Sequence, residues 1–325
     1  MENYTEHFCK ICGNRKDNKV YAVKEMMFGL REQFDYLECG ECGCLQIITI
    51  PTDMDRHYPN NYYSFGDVTY THRPFKIFLK KKLIQYKIYK ENTLLGKLLS
   101  LKYRDPEDFY PWLETIQPAF DAAILDVGCG SGRLLIKLQK SGFTNLRGAD
   151  PFIKNDITYD GGLTIYKKSL QEMGGEYDLI IFNHSFEHME GQEEILAKAQ
   201  KLLKPGGCLL VRIPIAGTYA WKTYGVNWVQ LDAPRHFYLH TTKSMEVLKN
   251  KLGFRKMDVV FDSNDLQFWG SEQYIKDIPL RDPRSYAEAP DKSLFSKEQI
   301  ESFREKAKAL NTQNDGDAAC FYLYK

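Results

Sequence analysis

Several absences bound this sequence before any motif is read. Its 325 residues carry a formal net charge of only +1, so no overall field recruits nucleic acid or a membrane surface. No run of about 18 apolar residues is present, which excludes an obvious membrane-spanning helix. The opening MENYTEHFCK lacks the apolar core of a secretory leader. These two absences give the expectation of a cytoplasmic protein. There is also no internal repeat and no low-complexity tract.

Cysteine, by contrast, is plentiful and unevenly placed. Of eight cysteines, five fall between positions 9 and 44, and without a leader such crowding argues for metal over disulfide. Cys9-Lys10-Ile11-Cys12-Gly13 and Cys39-Gly40-Glu41-Cys42-Gly43 are two C-x-x-C-G turns. Each offers two thiolates, and together Cys9, Cys12, Cys39 and Cys42 make the closed tetrahedral set of a structural zinc site. Iron or a thiol-redox pair are the competing readings, and Cys44 is a spare or rival ligand. Between the turns, Lys19–Lys24 and Gln33–Glu38 read as short strands of a zinc ribbon. A four-cysteine site leaves no open position for catalysis, so the metal staples a module too small to hold itself together. The aromatic stretch 58–65 that follows reads as surface packing or an acceptor contact.

Between His72 and Asp105 stand ten Lys and Arg against Glu91 and Asp105, which leaves the remainder of the chain net negative. Phe75, Leu79, Leu83 and Tyr86 recur at helical spacing. The expectation is a basic amphipathic helix continued by Leu94–Leu99. It is either a linker packed on the main domain or a surface meeting anionic lipid or a phosphorylated acceptor.

The centre of the chain is Ile124-Leu125-Asp126-Val127-Gly128-Cys129-Gly130-Ser131-Gly132. An apolar run ends in an acid, glycine then occupies every second position, and Leu134, Leu135 and Leu138 follow at helical spacing. This is strand, tight turn and helix, with room for a ligand at the helix N-terminus. A dinucleotide fingerprint would need a third glycine at position 133, which is Arg133. The run L-D-V-G-C-G-S-G instead resembles motif I of class I S-adenosylmethionine-dependent methyltransferases. Gly148-Ala149-Asp150, Glu176-Tyr177-Asp178-Leu179-Ile180-Ile181 and Leu203-Lys204-Pro205-Gly206-Gly207 continue the resemblance in order.

The resemblance implies S-adenosylmethionine as cofactor, with Gly128, Gly130 and Gly132 at its turn. Asp150 would accept the ribose hydroxyls, and Asp126 would orient the loop or meet the methionyl ammonium. Ser169 and Leu170 fall at the adenine edge. Phe152 lies on the adenine or in the core, and Asn183 ends the fourth strand beside the cofactor. The expected fold is an α/β, Rossmann-like, doubly wound sheet of seven strands, the last inserted antiparallel, with a small N-terminal zinc ribbon and a helical linker. The expected division is a zinc-ribbon module over 1–70, a basic helical cap over 71–110 and the methyltransferase domain over 111–325.

After the fourth strand comes Asn183-His184-Ser185-Phe186-Glu187-His188. His188 or Glu187 suits a base that deprotonates an acceptor hydroxyl or activated carbon. A cap on the next helix is the structural alternative. The Glu-His pair resembles sugar C-methyltransferases and ubiquinone-type O-methyltransferases. The latter carry a further metal-binding glutamate three residues before the pair's first member, and here that position is His184. The segment from Pro214 to Thr241 holds Trp221, Tyr224, Trp228, Asp232, Arg235, His236, Tyr238 and His240. It reads as an acceptor-site wall, with His236 a second candidate base and Arg235 a phosphate or carboxylate clamp. Packing on the sheet is the alternative. Asp232-Ala233-Pro234-Arg235-His236-Phe237 resembles a stretch in zinc-ribbon methyltransferases of polysaccharide and sugar-modification clusters.

The expected function is therefore methyl transfer to oxygen or carbon of a small-molecule or glycan-type acceptor, such as a nucleotide- or lipid-linked sugar. Deoxysugar C-methyltransferases carry a further C-terminal domain, whereas this sequence ends on the last expected strand, so O-methylation stands beside C-methylation. An RNA methyltransferase is the second reading. It is disfavoured by the near-neutral charge and by the absence of an Asn/Asp-Pro-Pro-aromatic turn after Asn183. A non-catalytic S-adenosylmethionine-binding or zinc interaction protein is the third.

Overall fold

The computed structural model describes residues 7–58, 66, 68–102 and 107–325, so most of the aromatic stretch 58–65 lies outside them. Strands β1 (Lys19–Lys24), β2 (Gln33–Glu38) and β3 (Leu45–Ile47) precede helices α1 (Pro74–Lys87), α2 (Leu94–Lys102) and α3 (Tyr110–Ile116). Then follow β4 (Ala123–Val127), α4 (Arg133–Lys140), β5 (Asn145–Ala149), β6 (Ile157–Thr158), β7 (Thr164–Tyr166), β8 (Tyr177–Asn183) and α5 (Gln192–Leu202). The rest comprises β9 (Leu203–Pro214), α6 (Tyr219–Tyr224), β10 (Tyr238–Leu239), α7 (Thr242–Leu252), β11 (Lys256–Phe261), α8 (Leu266–Ile275), α9 (Lys297–Thr312) and β12 (Ala318–Tyr324).

Two sheets form. The larger has the order β11-β12-β9-β8-β4-β5-β7-β6, and the smaller β1-β2-β3-β10. Within the larger, β4 pairs in parallel with β5 and β8, and β5 with β7. The expected seven strands become eight because β6 adds an antiparallel edge to β7. The short hairpin turns through Gly161 and Gly162, both at positive φ, which a side chain rarely adopts. The chain divides into two compact units, each assembled from separated stretches. One comprises Met1–Asn60, His184–Leu196 and Val211–Leu323, the other Asn61–Asn183, Ala197–Leu210 and Tyr324–Lys325.

In the second unit every residue of β4 is buried, as an apolar run flanked by parallel strands requires. Leu135, Ile136 and Leu138 of α4 are buried too, so the helix presents an apolar stripe. The basic stretch departs from expectation twice. It is two helices, broken where Lys90 takes positive φ, and the buried residues of α1 are Leu83 and Ile84, while Phe75 is 73% exposed. Gly96 of α2 is sterically required. A Cβ there would stand 2.5 Å from the Lys82 carbonyl oxygen of α1.

In the first unit, α9 opens on a capping box. Ser296 Oγ accepts from Gln299 N–H at 3.2 Å, and Gln299 Oε1 accepts from Ser296 N–H at 2.8 Å. The segment 214–241 is largely structured, with α6, two short 3-10 turns and β10. Its aromatic residues are core rather than wall, which corrects the acceptor-wall expectation for them. Trp228 is fully buried and donates its indole N–H to Asp317 at 2.9 Å, and Trp221 donates to Glu38 at 3.0 Å. Buried indoles need such acceptors, and these carboxylates provide them.

Candidate cofactor, metal and acceptor sites

The cofactor turn lies in the second unit. Gly128, Gly130 and Gly132 all take positive φ. A Cβ on Gly132 would also stand 2.6 Å from Ile165 Cδ1, so the turn is closed to side chains on steric grounds. Gly132 caps α4 and directs the helix N-terminus at the turn. Gly130 N–H donates to Asp150 Oδ2 at 2.8 Å, and Phe152 N–H donates to Oδ1 at 2.9 Å. These bonds fix the Asp150 carboxylate and leave each oxygen a lone pair. Burial raises the Asp150 carboxyl above its ordinary range, although the two N–H groups oppose the rise. Asp126 is pushed higher still, by burial and by the charge of Asp150.

This turn fits S-adenosylmethionine. The buried Ser131 Oγ has no hydrogen-bond partner, a donor and acceptor ready for a ligand. Phe152 is 80% exposed, which removes the core-packing reading and leaves its face free to stack. Ser169 and Glu172 form a capping box around a short 3-10 turn that begins at Leu170, which is buried. Asn183 stands at the end of β8, half-buried.

The cysteine site lies in the first unit. The Sγ atoms of Cys9, Cys12, Cys39 and Cys42 all lie within 4.8 Å of one another. Cys9 and Cys42 sulfurs are 3.6 Å apart, and those of Cys12 and Cys39 3.5 Å. A tetrahedron of Zn–S bonds of about 2.3 Å sets sulfur separations of roughly 3.8 Å. Backbone N–H groups of Glu41 and Cys42 each point at Cys39 Sγ at 3.4 Å, as suits a thiolate. Cys44 is buried, donates to the Leu45 carbonyl at 3.5 Å and stands outside the four-sulfur group.

A third cluster, also in the first unit, joins Glu187 and His188 to His236. One ligand atom from each lies within 4.8 Å of the others. Phe237 N–H donates to the Glu187 carbonyl at 2.7 Å, which clips the two stretches together. Both imidazoles are held through Nδ1, His188 by the Arg235 carbonyl at 2.8 Å and His236 by the Gln230 carbonyl at 2.7 Å. A carbonyl only accepts, so each Nδ1 carries the proton and each Nε2 presents a lone pair. His236 is buried, and burial followed by the nearby His188 holds its pKa down to about 4, so it is a neutral imidazole at pH 7. Burial opposes the Glu187 charge, but the imidazoles of His184, His188 and His236 outweigh it and hold the carboxyl below its usual range.

Arg235 is not the expected clamp for an acceptor. It is 0% exposed, and its guanidinium is consumed by Asp232 and by the buried Glu25. An arginine so paired has no free fork for a phosphate. Glu25 was not legible as a functional partner, because nothing in Lys24-Glu25-Met26-Met27 marks an acid that will be buried.

Residues 103–259 match the model of a methyltransferase domain. The ubiquinone biosynthesis O-methyltransferase of Caulobacter vibrioides is 34% identical over 98 residues, covering 27% of this chain and 39% of that protein. The protein of the same description from Pectobacterium atrosepticum is 26% identical over 128 residues, covering 36% and 53%. The chain thus spans about two fifths to one half of the curated relatives it matches. A methyltransferase structure from Archaeoglobus fulgidus is 18% identical, with a TM-score of 0.41 over 70% of this chain and 99% of that one. Residues 103–259 are thus similar to a methyltransferase domain, and the sheet to which they contribute is α/β and Rossmann-like.

Proposed function

We propose that the chain is an S-adenosylmethionine-dependent methyltransferase acting on a hydroxyl of a small-molecule or glycan-type acceptor, a nucleotide- or lipid-linked sugar being the class intended. The observation that carries this reading is the Gly130–Asp150 pair: a turn of three glycines at positive φ, hydrogen-bonded to a fixed, buried carboxylate. Bound S-adenosylmethionine supplies an electrophilic methyl group. Asp150 holds the ribose, and the turn accommodates the approach of the cofactor backbone. The acceptor hydroxyl gives its proton to a base, its oxygen forms a bond to the methyl carbon, and the carbon–sulfur bond breaks with release of S-adenosylhomocysteine. His188 is the base in this reading, since it is only part-buried while Glu187 and His236 are closed from solvent. Transfer to oxygen rather than carbon is supported by the similarity to the two ubiquinone biosynthesis O-methyltransferases. The four-cysteine group holds a structural zinc ion that staples β1 to β3.

The test uses cofactor labelled in its methyl group, incubated with the protein and a cell extract separated into soluble metabolites, lipids, glycans and RNA. Label in the sugar, lipid or glycan fraction, absent with Asp150→Ala, is the expected result. Label in nuclease-sensitive material would overturn the acceptor class. Cofactor binding with no label in any fraction would favour a non-catalytic role.

A further inference from the structure

Glu187 is fully buried, and neither of its carboxylate oxygens accepts a hydrogen bond. The nearest donor, His184 Nδ1, stands 3.4 Å from Oε1. A buried carboxylate met only by an imidazole at that distance is poorly compensated, at a cost on the order of several kcal/mol, and gains from a cation. Beside it stand the two Nε2 lone pairs of His188 and His236, oriented by carbonyls on the opposite ring nitrogens. Imidazole metal ligands are held in this way, with the second nitrogen donating to a carbonyl or carboxylate. The two rings lie 4.7 Å apart and inclined at 65°, and one ligand atom from each lies within 4.8 Å of the other and of a Glu187 oxygen.

We propose that Glu187, His188 and His236 bind a divalent first-row transition metal, zinc or a close equivalent, distinct from the cysteine-bound ion. Two imidazoles and one carboxylate suit such an ion and leave a coordination position open, whereas magnesium prefers oxygen ligands throughout. The surrounding charge agrees. The Arg235 guanidinium is taken by Glu25 and Asp232, so among the described residues the ion pair recorded for Glu187 is with the His184 imidazole. Asp232 Oδ2 lies 3.8 Å from His236 Nε2 and adds a further acid at the same place. His184 completes the outer shell: its Nε2 accepts from Arg212 at 2.6 Å, which leaves the Nδ1 proton facing Glu187.

With a metal at this place His188 would be a ligand in place of a base, and an acceptor hydroxyl at the open position, acidified by the ion, would give its proton to water. That use rests on the proposed transfer to oxygen. Metal binding itself does not.

The test is a Co2+ titration of the metal-free full-length chain, followed by absorption. The first equivalent should bring the intense thiolate charge-transfer band of the cysteine site. A second equivalent should add only weak d–d bands of nitrogen and oxygen ligation. Glu187→Gln and His188→Asn should each weaken the second equivalent by ~100-fold or more and leave the first unchanged. Circular dichroism reports whether each variant folds, and the part-buried His188 offers a second variant should Glu187→Gln fail. Excess Mg2+ should not displace the second equivalent. A single thiolate-type equivalent in the unaltered chain would overturn the proposal, as would a second equivalent that survives in folded forms of both variants. If the second equivalent binds as described but no methyl transfer is found, the site stands and the proposed reaction fails.

Discussion

At the scale of single residues, Asp150 carries the most specific expectation. Its carboxyl is raised by burial, against two N–H donors that favour the charge. Only the ionised form accepts both ribose hydroxyl protons. Cofactor affinity should therefore fall as pH is lowered through the raised pKa, with an inflection above the ordinary aspartate value. The sign for the free protein is opposite. A folded pKa above the unfolded one means the folded chain holds its proton longer, so free-protein stability declines as pH rises between the two. Calorimetric titration of S-adenosylhomocysteine from acid to neutral pH checks the first statement. An affinity flat across that range would show that Asp150 does not meet the ribose as an ionised acceptor. Asp126, raised by the same burial and by Asp150 itself, is expected to sharpen the dependence.

At the scale of elements, the proposed zinc ion is expected to matter most to β1. That strand is mostly exposed, whereas Tyr36 and Leu37 of β2 and all of β3 are buried. Binding of zinc to four thiolates is worth on the order of 10 kcal/mol in small modules. Chelation, or Cys9→Ser, should lower amide protection across 19–47, most strongly in β1 and its pairing with β2. Hydrogen exchange followed by mass spectrometry reads this directly, and protection that persisted without metal would mean the ribbon core suffices. The β10 strand pairs with β3 through Tyr238–Gln46 and Leu239–Leu45, so protection at 238–239 should fall with it.

At the scale of the whole molecule, a ligand that binds only the folded chain stabilises it by mass action. S-adenosylhomocysteine at about 100 times its dissociation constant adds roughly 2.7 kcal/mol. For a unit of this size that is a rise of roughly 5–10 °C in the thermal midpoint of the transition it belongs to. The same addition to Asp150→Ala should raise it far less. Because the chain forms two compact units, the scan is to be read transition by transition rather than as one two-state event. A midpoint unmoved by the cofactor in the unaltered protein would contradict the assignment of the glycine turn.

The sequence by itself determined what depends on neighbours along the chain. Alternating glycines, the apolar run before them and the helical leucines behind them specify a strand, turn and helix locally, and β1 and β2 lie where the patterning places them. The spacing of paired cysteines likewise fixes two turns whatever the rest does. Other features arose only when distant segments met. Arg235 reads as a free clamp until Glu25, from far along the chain, is found against it in the interior. Of the stripe Phe75, Leu79, Leu83 and Tyr86, α1 buries Leu83, together with Ile84, and leaves Phe75 exposed. Likewise Glu187, His188 and His236 form a cluster only because the Phe237 and Glu187 backbones are hydrogen-bonded. Periodicity records which residues share a face, but the partner of a buried charge is set by the tertiary fold, which alone decides where desolvation must be compensated.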